Sequence, residues 1–355
     1  MTDRALDLFV SATRDGDAPA IVLDESTLSP RRAQPPAPHP DGDMVWIPGG
    51  SFTMGSDHHY PEEAPAHPVS VDGFWIDRHP VTNAEFRAFV DATGYRTLAE
   101  HPTDPALYPD ADQAMLEPAS AVFTPPRHPV DLSDAYQWWR YVPGADWRHP
   151  RGPDTSIEDR LDHPVTQVAW ADALAYAEWA GKRIATEAEW EYAARGGLPH
   201  SEFAWGDELN PGGEYMANTW QGEFPHENLR LDGYADTSPV GAFPANGYGL
   251  IDMIGNVWEW TADWYADHRV LAPGKPSCCG APRPRANPVG GEEAASVDAG
   301  SSGTPIPRKV MKGGSHLCAP NYCRRYRPAA RLPQPVDTST SHLGFRCVLR
   351  ADART

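Results

Sequence analysis

GNVWEWTADWY, residues 255–265, closes a long segment of the chain that has almost no regular pattern. Between residues 207 and 263 the chain is rich in Gly, Asn, Asp and Trp, and its apolar residues follow neither the period of a helix nor that of a strand. Irregular segments of this length are uncommon inside compact domains. We therefore expect a loop-rich fold in which something other than regular secondary structure organises this segment.

The composition of the whole chain agrees with a loop-rich fold. The 355 residues include 38 Pro and 30 Gly, which favour turns, and 13 Trp and 13 Tyr, which supply large buried surfaces. A chain of this length can bury a core as one large domain with insertions or as two smaller domains. Short helices and short strands are both predicted, so the expected fold class is α+β with little regular secondary structure.

The formal net charge of −19 would repel a phosphate backbone, so nucleic acid is not expected as a partner. The same charge suits a cationic ligand or bound metal ions. No apolar stretch approaches the roughly 18 residues of a membrane span, and the first residues, MTDRALDLFVSATRDGD, do not resemble a secretory signal. We expect a soluble, cytoplasmic protein without a membrane partner.

Strands are predicted near both ends of the folded part. Residues 44–55 and 67–81 are short apolar runs broken by glycine, and Asp72-Gly73 is a candidate hairpin turn. Residues 308–317 and 342–350 are predicted as two further strands. In the last of these, alternate residues share one face: Leu343, Phe345, Cys347 and Leu349.

Three short helices are predicted from capping residues and apolar periodicity. Their signals, in chain order, are the capping box of Thr82 and Glu85 with Gly94 as the stop, the inward-facing Leu174 and Ala177 with Gly181 as the stop, and the capping box of Thr186 and Glu189.

Two segments are predicted to lie outside the packed domain, which covers residues 43–352. Residues 1–42 end in a proline-rich polar run and are interpreted as a disordered N-terminal tail. Residues 273–307 have the composition of a mobile surface insertion. The adjacent Cys278 and Cys279 within it match no role.

Cys318 and Cys323 are the strongest candidates for a chemical role. They lie in GGSHLCAPNYCRRYRPAAR, residues 313–331, among arginines that favour ionised thiols. Five cysteines cannot all pair, and cytosolic proteins seldom keep disulfides. No second cysteine or histidine pair at zinc spacing accompanies them. Two soft thiolates suit Cu(I), and a reversible redox disulfide or a structural pair is the open alternative.

Several longer motifs resemble the formylglycine-generating enzymes, also called sulfatase-modifying factors. In chain order they are MVWIPGGSFTMGS, VTNAEFRAFVDATGY, HPVTQVAWADALAYAEWAGKRIATEAEWEYAARGG, ANTWQGEFP, PVGAFPANGYGLIDMIGNVWEWTADWY, KGGSHLCAPNYCRRYRPAAR and SHLGFRCV. They cover nearly the whole folded chain. GNVWEW and LGFR are shared by a wider superfamily, whereas the cysteine motif is typical of the generating enzymes themselves.

This resemblance implies a single domain with a C-type-lectin-like core and an enzyme that acts on unfolded sulfatases. Such enzymes oxidise the cysteine of a CxPxR motif to Cα-formylglycine with O₂ and a bound copper ion. Cys318 and Cys323 would then be the catalytic residues and would hold Cu(I), with the thiol of the substrate as a third sulfur ligand. A monomer is expected.

The resemblance also places six residues in or near the substrate pocket: Asp104, Trp138, Trp258, Ser315, Tyr322 and His342. Asp104 would pair with the substrate arginine, and Trp138 would form an aromatic wall of the peptide groove. From the residues alone, Asp104 is a loop aspartate before a proline, and the two tryptophans are ordinary packing residues.

Two calcium ions are implied for the irregular segment and would be its organisers. The ligands of the first would be Asn218, Thr219, Asp232 and Tyr234, and those of the second would be Asp252, Gly255, Val257 and Glu259. From the residues alone, the asparagine and the aspartates in these sets are turn formers.

Some positions depart from the family pattern. Ala177, Ala194 and Pro328 stand where secreted eukaryotic members have paired cysteines, so Cys347 is expected to be a buried apolar residue of a bacterial-type cytosolic enzyme. Pro80 replaces a glutamate that helps some relatives to hold the substrate arginine. Some relatives also have asparagine at the position of His342.

Two other functions are open alternatives. The same fold can bind peptides or ligands without any chemistry. The superfamily also contains iron-dependent oxidases that form carbon–sulfur bonds, but these use a histidine cluster from an added helical domain. The first 42 residues of this chain are too short and too poor in histidine for such a domain.

Overall fold

The computed structural model describes residues 43–109, 111–271, 284–298 and 305–350. The helices in these ranges are α1 Asn83–Thr93, α2 Trp170–Trp179, α3 Glu187–Ala194 and α4 His268–Leu271. The strands are β1 Met44–Ile47, β2 Gly50–Met54, β3 His67–Val71, β4 Phe74–Asp77, β5 Ala119–Phe123, β6 Trp139–Pro143, β7 Arg183–Ile184, β8 Trp258–Trp264, β9 Arg285–Ala286, β10 Arg308–Lys312, β11 Arg331–Pro335, β12 Leu343–Gly344 and β13 Cys347–Arg350. Within the same ranges, no helix has the length and apolar character needed to cross a membrane.

The strands form two four-stranded sheets, one three-stranded sheet and a hairpin. The first sheet has the order β1-β4-β13-β7 and joins the start of the domain to its end. The second sheet has the order β11-β10-β8-β12, and the third has the order β2-β3-β9. β5 and β6 pair as the separate hairpin. Short helices, short strands and long irregular connections make an α+β fold, as the sequence predicted.

The predicted hairpin at Asp72-Gly73 is wrong. β3 pairs with β2, whereas β4 pairs with β1 and β13 in a different sheet. The backbone of Asp72 and Gly73 packs against Gly49, whose φ of 67° and lack of a Cβ allow that approach. The chain therefore changes sheet both between β1 and β2 and between β3 and β4. An alternating pattern on either side of Asp-Gly cannot distinguish this arrangement from a hairpin.

Helices α1 and α3 begin at the predicted capping boxes. In α1 the Thr82 hydroxyl accepts the Glu85 N–H, and the Glu85 carboxylate accepts the Thr82 N–H. Thr186 and Glu189 make the same two bonds at the start of α3. Gly94 ends α1 with a left-handed φ of 67°. These local signals act within one helical turn, so the surrounding fold does not alter them.

Helix α2 forms where predicted, but one residue of its buried face differs. Ala173, Tyr176 and Ala177 are buried, whereas Leu174 is only half-buried. The buried residues follow the i, i+3, i+4 spacing of a helix that packs on one side. The Tyr176 ring stacks on Phe86 of α1 at 6.0 Å. The contact with α1 fixes the rotation of α2 and leaves Leu174 beside the interface.

The irregular segment contains a strand that the sequence pattern did not indicate. Residues 207–257, all of which are described, hold one short 3-10 helix at Pro211–Gly213, but Trp258–Trp264 form β8. β8 pairs with β10 on one side and β12 on the other, and its first four residues are all buried. A strand that is covered on both faces shows no polar alternation. The search for alternating apolar and polar residues therefore could not detect this strand.

The predicted strand at residues 342–350 is two strands in two sheets. β12 pairs with β8, and β13 pairs with β4 and β7. Leu349 is half-buried, and the other three residues of the predicted apolar face are buried, including Cys347. Arg346 is also buried, and its charge is paired there: its Nη2 lies 2.7 Å from Glu259 Oε1. The alternation of apolar residues predicted the buried positions only in part, because Arg346, between two of them, is buried as well.

Part of the predicted surface insertion belongs to the third sheet. Residues 284–298 are described, and β9 within them pairs in parallel with β3. The side chain of Asn287 also exchanges hydrogen bonds with Asp72. Residues 305–307 at the end of the predicted insertion are described as well. The predicted N-terminal tail, the other residues of the predicted insertion, and Cys278 and Cys279 lie outside the described residues.

Two hydrophobic clusters fill the interior. The main cluster packs the first three helices against the sheets and includes Phe86, Trp190 and Phe345. The smaller cluster consists of Trp138, Trp220, Phe224, Leu317 and Ala319. Leu317 and Ala319 flank Cys318, so the smaller cluster supports the cysteine segment.

Candidate active site

A cleft of about 780 Å³ lies beside the smaller cluster and contains both candidate cysteines. Residues from the β5–β6 hairpin, β8, β10 and the segments that follow β10 and β11 line it. The cleft brings together five of the six predicted pocket residues: Trp138, Trp258, Ser315, Tyr322 and His342. These residues are far apart in the sequence, so the cleft is a product of the whole fold.

Two consecutive turns bring the sulfurs of Cys318 and Cys323 together. The Cys318 N–H donates to the Ser315 carbonyl at 2.9 Å, and the Cys323 N–H donates to the Ala319 carbonyl at 3.0 Å. The two Sγ atoms lie 3.4 Å apart, which is well beyond the S–S bond length of about 2 Å. Both cysteines are free thiols, Cys318 buried and Cys323 half-buried. The pair therefore presents two sulfur donors side by side.

The pKa values of the two thiols are shifted in opposite directions from that of an ordinary cysteine. A hydrogen bond from Cys318 and the charge of Arg325 lower the pKa of Cys323 to about 6, although burial acts against ionisation. Burial raises the pKa of Cys318, which keeps its proton and shares it with Cys323. At neutral pH the pair is consequently one thiol and one thiolate. The thiolate is the form that binds soft metals and reacts with electrophiles.

Arg325 is held beside Cys323 by two other side chains. Its Nη1 lies 3.8 Å from the Cys323 Sγ. Its guanidinium pairs closely with Glu62 and lies 3.7 Å from the ring centre of Tyr60. Because a guanidinium is always charged, this arrangement fixes a positive charge next to one sulfur.

The other buried arginines of the segment have different partners. Arg327 pairs with Glu63 at 2.5 Å, and Arg331 pairs with Glu187 at 2.7 Å. All four side chains are almost completely buried. These pairs attach the cysteine segment to the loop before β3 and to α3. Among these three arginines, only Arg325 contacts a cysteine sulfur and gives it the positive charge that the sequence predicted.

Ser315 connects the cysteine pair to His342. Its N–H donates to the Cys318 Sγ at 3.4 Å, and its hydroxyl lies 3.1 Å from His342 Nδ1. The hydroxyl oxygen also accepts the Leu317 N–H at 3.2 Å. Burial and the neighbouring His316 lower the pKa of His342 to about 3, so the imidazole is neutral.

Aromatic side chains form one wall of the cleft. The Tyr322 ring stacks on Phe224 at 4.5 Å and meets the edge of Trp138 at 5.4 Å. Trp138 is only 1% exposed, so it packs in the smaller cluster and still lines the cleft. The packing interpretation of Trp138 is therefore confirmed, and its role as a wall of the peptide groove stays a prediction. Trp258, on β8, is also buried at the cleft.

Comparison with known proteins shows which family the chain belongs to. The model of the sulfatase-modifying factor enzyme 1-like domain matches residues 30–351. The chain belongs to this family. It is 56% identical over 306 residues to the formylglycine-generating enzyme of Mycobacterium tuberculosis, which covers 86% of this chain and 97% of that protein.

A more distant relative carries the word inactive in its name. The inactive C-alpha-formylglycine-generating enzyme 2 of Mus musculus is 37% identical over 318 residues, covering 88% of this chain and 87% of that protein. The solved structure of PvdO from Pseudomonas aeruginosa matches with a TM-score of 0.55 and 28% identity, covering 86% of this chain and 94% of that one. This match supports a single domain of the sulfatase-modifying factor type.

Asp104 is the one predicted pocket residue of this family member that does not line the cleft. It is exposed, and its carboxylate accepts the Ala106 N–H at 2.9 Å. The backbone carbonyl of Asp104 accepts the Leu107 N–H at 3.0 Å. In the structure Asp104 therefore forms a turn before a proline, as its residue type alone indicates. A role in binding the substrate arginine stays a prediction.

The first predicted calcium set brings several oxygens close together. The Asp232 carboxylate accepts the N–H groups of Thr219 and Tyr234, at 3.2 and 3.0 Å. The Gln221 side-chain amide donates to Asp232 at 2.8 Å and also to the Thr219 carbonyl. Two of the predicted ligand oxygens thus converge on one point, which the Gln221 amide occupies. The Asn218 amide nitrogen donates to a backbone carbonyl.

The second predicted calcium set is Asp252, Gly255, Val257 and Glu259. Asp252 Oδ1 is buried and has no hydrogen-bond partner among the described residues. Its other oxygen accepts from Asn256, and burial raises the pKa of Asp252 to about 6. The Glu259 carboxylate, by contrast, accepts from Arg346 and from the Trp190 indole. Within the described part of the chain, the Asp252 carboxylate thus has no ion-pair partner, whereas the Glu259 carboxylate pairs with Arg346.

The sequence did not identify the side chains that hold Arg325. Tyr60 and Glu62 lie more than 250 residues before it in the chain. A usable signal existed, because the consecutive Glu62 and Glu63 lie in the same domain as a cluster of arginines, and buried arginines require carboxylate partners. The pairing itself depends on the fold.

Proposed function

We propose that this protein is a copper-dependent oxidase that uses O₂ to convert the cysteine of a CxPxR motif in unfolded sulfatases to Cα-formylglycine, and so activates them. We further propose that it acts as a cytoplasmic monomer. The observation that carries the proposal is the pair of free sulfurs of Cys318 and Cys323, 3.4 Å apart in a large cleft. Relatives named formylglycine-generating enzymes support the same reaction.

The donor atoms of the cleft fit a soft monovalent ion. Thiolate sulfur prefers Cu(I), and Cys318 and Cys323 would hold it. Copper bound there would supply the activation of O₂. Among the described residues, no group of three or more His, Cys, Asp or Glu side chains could hold a metal ion. We propose that the thiol of the substrate cysteine supplies a third sulfur ligand.

The protein itself would bind and orient the peptide. A five-residue CxPxR segment extends over roughly 17 Å. The aromatic wall of Trp138, Phe224 and Tyr322 offers apolar contact to such a segment. The ordered turns at Cys318 and Cys323 fix the two sulfurs before the peptide arrives, which reduces the entropy that orientation costs.

A peptide assay tests the proposal. Reduced protein with one equivalent of Cu(I), O₂, a reductant and a CxPxR peptide should produce one peptide aldehyde for each substrate thiol consumed, measured by mass spectrometry and oxygen uptake. The Cys318→Ala protein should bind less copper and produce no aldehyde, with an unchanged thermal midpoint. If the wild-type protein binds the peptide but produces no aldehyde, the function is that of a non-catalytic binding member of the family.

We also propose that the irregular segment binds calcium. The converging oxygens at Asp232 support a first ion, and the unpartnered buried oxygen of Asp252 supports a second. Chelation by EDTA should lower the thermal midpoint, and Ca²⁺ should restore it. Asp232→Asn and Asp252→Asn should each reduce the bound calcium by one ion per chain, measured by metal analysis. An unchanged midpoint and no bound calcium would exclude these sites.

A further inference from the structure

Tyr136 is an exposed aromatic residue that lines the cleft. It is 82% exposed, the largest exposed fraction among the large apolar and aromatic side chains that the structure describes. A single exposed aromatic residue needs no explanation elsewhere on a protein surface. Beside a cleft the situation differs, because a ring that faces water before binding can bury its area against a ligand.

The backbone that carries Tyr136 is held in place. It belongs to the 3-10 helix Ala135–Gln137, where the Tyr136 N–H donates to the Asp134 carboxylate at 3.0 Å. The Tyr136 carbonyl accepts from the Arg140 guanidinium. Two residues further on, Trp138 is only 1% exposed and anchors this part of the chain in the smaller hydrophobic cluster. The exposed ring therefore has an ordered support, which lowers the entropy that a contact with a ligand would cost.

Tyr136 lies within a few peptide residues of the two sulfurs. Its Cα is two residues from that of Trp138, a separation of at most about 7 Å. The Trp138 ring meets the edge of the Tyr322 ring at 5.4 Å, and Tyr322 directly precedes Cys323. These two steps cover on the order of 12 Å, which three or four residues of an extended peptide also cover.

The predicted site for the substrate arginine lies in the other direction along the hairpin. Tyr141 is three residues after Trp138 on β6, and its hydroxyl lies 3.3 Å from Thr103 Oγ1. Thr103 directly precedes Asp104, the residue predicted to pair with that arginine. Along the hairpin, Tyr136 thus comes before the cysteine pair and Asp104 after it. A CxPxR peptide whose arginine reaches Asp104 would place the residues before its cysteine beside Tyr136.

The surroundings of Tyr136 favour an apolar ligand. The neighbouring residues of the same segment that line the cleft are Ala135, Trp138 and Trp139, and none of them carries a charge. Phe224 packs against Trp138 with 5.4 Å between the ring centres and lines the cleft as well. An apolar side chain gains free energy when it leaves water at such a surface, whereas a charged one loses its hydration without finding a partner.

We propose that Tyr136 is a specificity-determining residue whose ring binds an apolar or aromatic side chain three or four residues before the substrate cysteine. This inference rests on the proposed function, including the pairing of the substrate arginine with Asp104. The contact is non-covalent and remote from the reacting atoms. It should therefore stabilise the bound substrate and the transition state equally, so that its loss raises KM and leaves kcat unchanged.

A pair of peptides tests the inference kinetically. Both contain CxPxR and the same N-terminal extension, except that one has leucine and the other serine at the third and fourth positions before the cysteine. With the wild-type protein, the leucine peptide should have a KM about 10-fold lower at an equal kcat, because part of a leucine side chain is buried. Tyr136→Ala should abolish this difference, and Tyr136→Phe should keep it, because the ring makes the contact. Trp179→Ala is the matched control and should also keep it, because Trp179 is a 45% exposed aromatic residue outside the cleft lining.

A binding measurement tests the inference without turnover. The same two peptides, with serine in place of the reactive cysteine, are titrated into the full-length, metal-free protein and followed by fluorescence anisotropy. The leucine peptide should bind about 10-fold more tightly, and Tyr136→Ala should remove that advantage. Equal affinities of the wild-type protein for the two peptides, undetectable binding of both, or an advantage that survives in Tyr136→Ala would overturn the inference. If the wild-type protein forms no aldehyde but binds the leucine peptide more tightly through Tyr136, the proposed function fails and the contact stands.

Discussion

The cysteine segment has two halves that use the same residue type differently. We name residues 315–325 the cleft half and residues 326–331 the anchor half. In the cleft half, Arg325 places its charge 3.8 Å from a thiol and has one carboxylate partner at the cleft. In the anchor half, Arg327 and Arg331 are buried in ion pairs with carboxylates from distant parts of the chain. The contrast separates arginines that adjust chemistry from arginines that hold the segment in place.

Burial explains why the two halves should respond differently to mutation. A charge that is removed from water must keep its partner, because an unpaired buried charge costs several kcal/mol. The Arg327 and Glu63 side chains are 1% and 0% exposed, so their pair is of this kind. Arg325, at 11% exposure, lines the cleft and can be approached by water and by a ligand. Its loss should therefore affect the thiols more than the fold.

Breaking the anchor half should have the largest effect on stability. Arg327→Met leaves Glu63 buried without its cation, so we expect the free energy of unfolding to fall by about 3–5 kcal/mol. The measurement is chemical denaturation followed by circular dichroism. The Arg324 carbonyl, which accepts from Arg327 Nε, also loses its donor.

Two control variants sharpen that result. Arg87→Met breaks the exposed pair with Glu158 and should cost no more than about 1 kcal/mol. Combining Arg327→Met with Glu63→Gln removes both charges and should recover part of the loss. Equal losses for Arg327→Met and Arg87→Met would mean that the anchor half does not depend on its buried pair.

Altering the cleft half should change thiol chemistry instead. In Arg325→Met the positive charge beside Cys323 disappears, so the pKa of Cys323 should rise from about 6 towards the ordinary thiol value. The thiolate would then need a higher pH to form, and alkylation of Cys323 by iodoacetamide at pH 7 should slow by about 10-fold. Peptide mass spectrometry over pH 5–9, on reduced and metal-free protein, gives the rate for each cysteine.

The buried thiol provides an internal control for this experiment. Cys318 keeps its proton in the wild-type protein because burial raises its pKa, so its slow alkylation should change little. The free energy of unfolding of Arg325→Met should fall by less than that of Arg327→Met. A pH profile of Cys323 identical to that of the wild-type protein would show that the Cys318 hydrogen bond alone accounts for its acidity.

The comparison of the two halves also shows what a sequence can predict. Local features were accessible: the capping boxes at Thr82 and Thr186 depend on four neighbouring residues, and each formed as expected. The cysteine motif and most of its pocket were accessible through family motifs. The partners of the arginines were not, because Glu62, Glu63 and Glu187 approach from distant segments, and no local feature shows which arginine each of them pairs with.

The failures in strand prediction have a related physical cause. Strand patterns indicate which side of a sheet is buried, and β8 is buried on both sides, so its pattern was uninformative. At Asp72-Gly73 the residues were suited to a turn, but the choice of pairing partner was made by packing against Gly49. Tertiary contacts thus decided the sheet topology, and they also decided which arginine would reach a thiol.

The smallest predicted effect is that of Glu62→Gln, which distinguishes the charge of Arg325 from the contacts that hold its guanidinium in place. Glu62→Gln removes a negative charge near Cys323 and keeps an oxygen that can accept from Arg325. If the contact with the Tyr60 ring, at 3.7 Å, suffices to hold the guanidinium, its charge becomes less compensated, and the pKa of Cys323 should fall by less than one unit. The same alkylation profile, shifted to lower pH, would show this. A rise as large as that in Arg325→Met would mean instead that Glu62 holds the guanidinium in place, because an arginine that leaves the cleft no longer favours the thiolate.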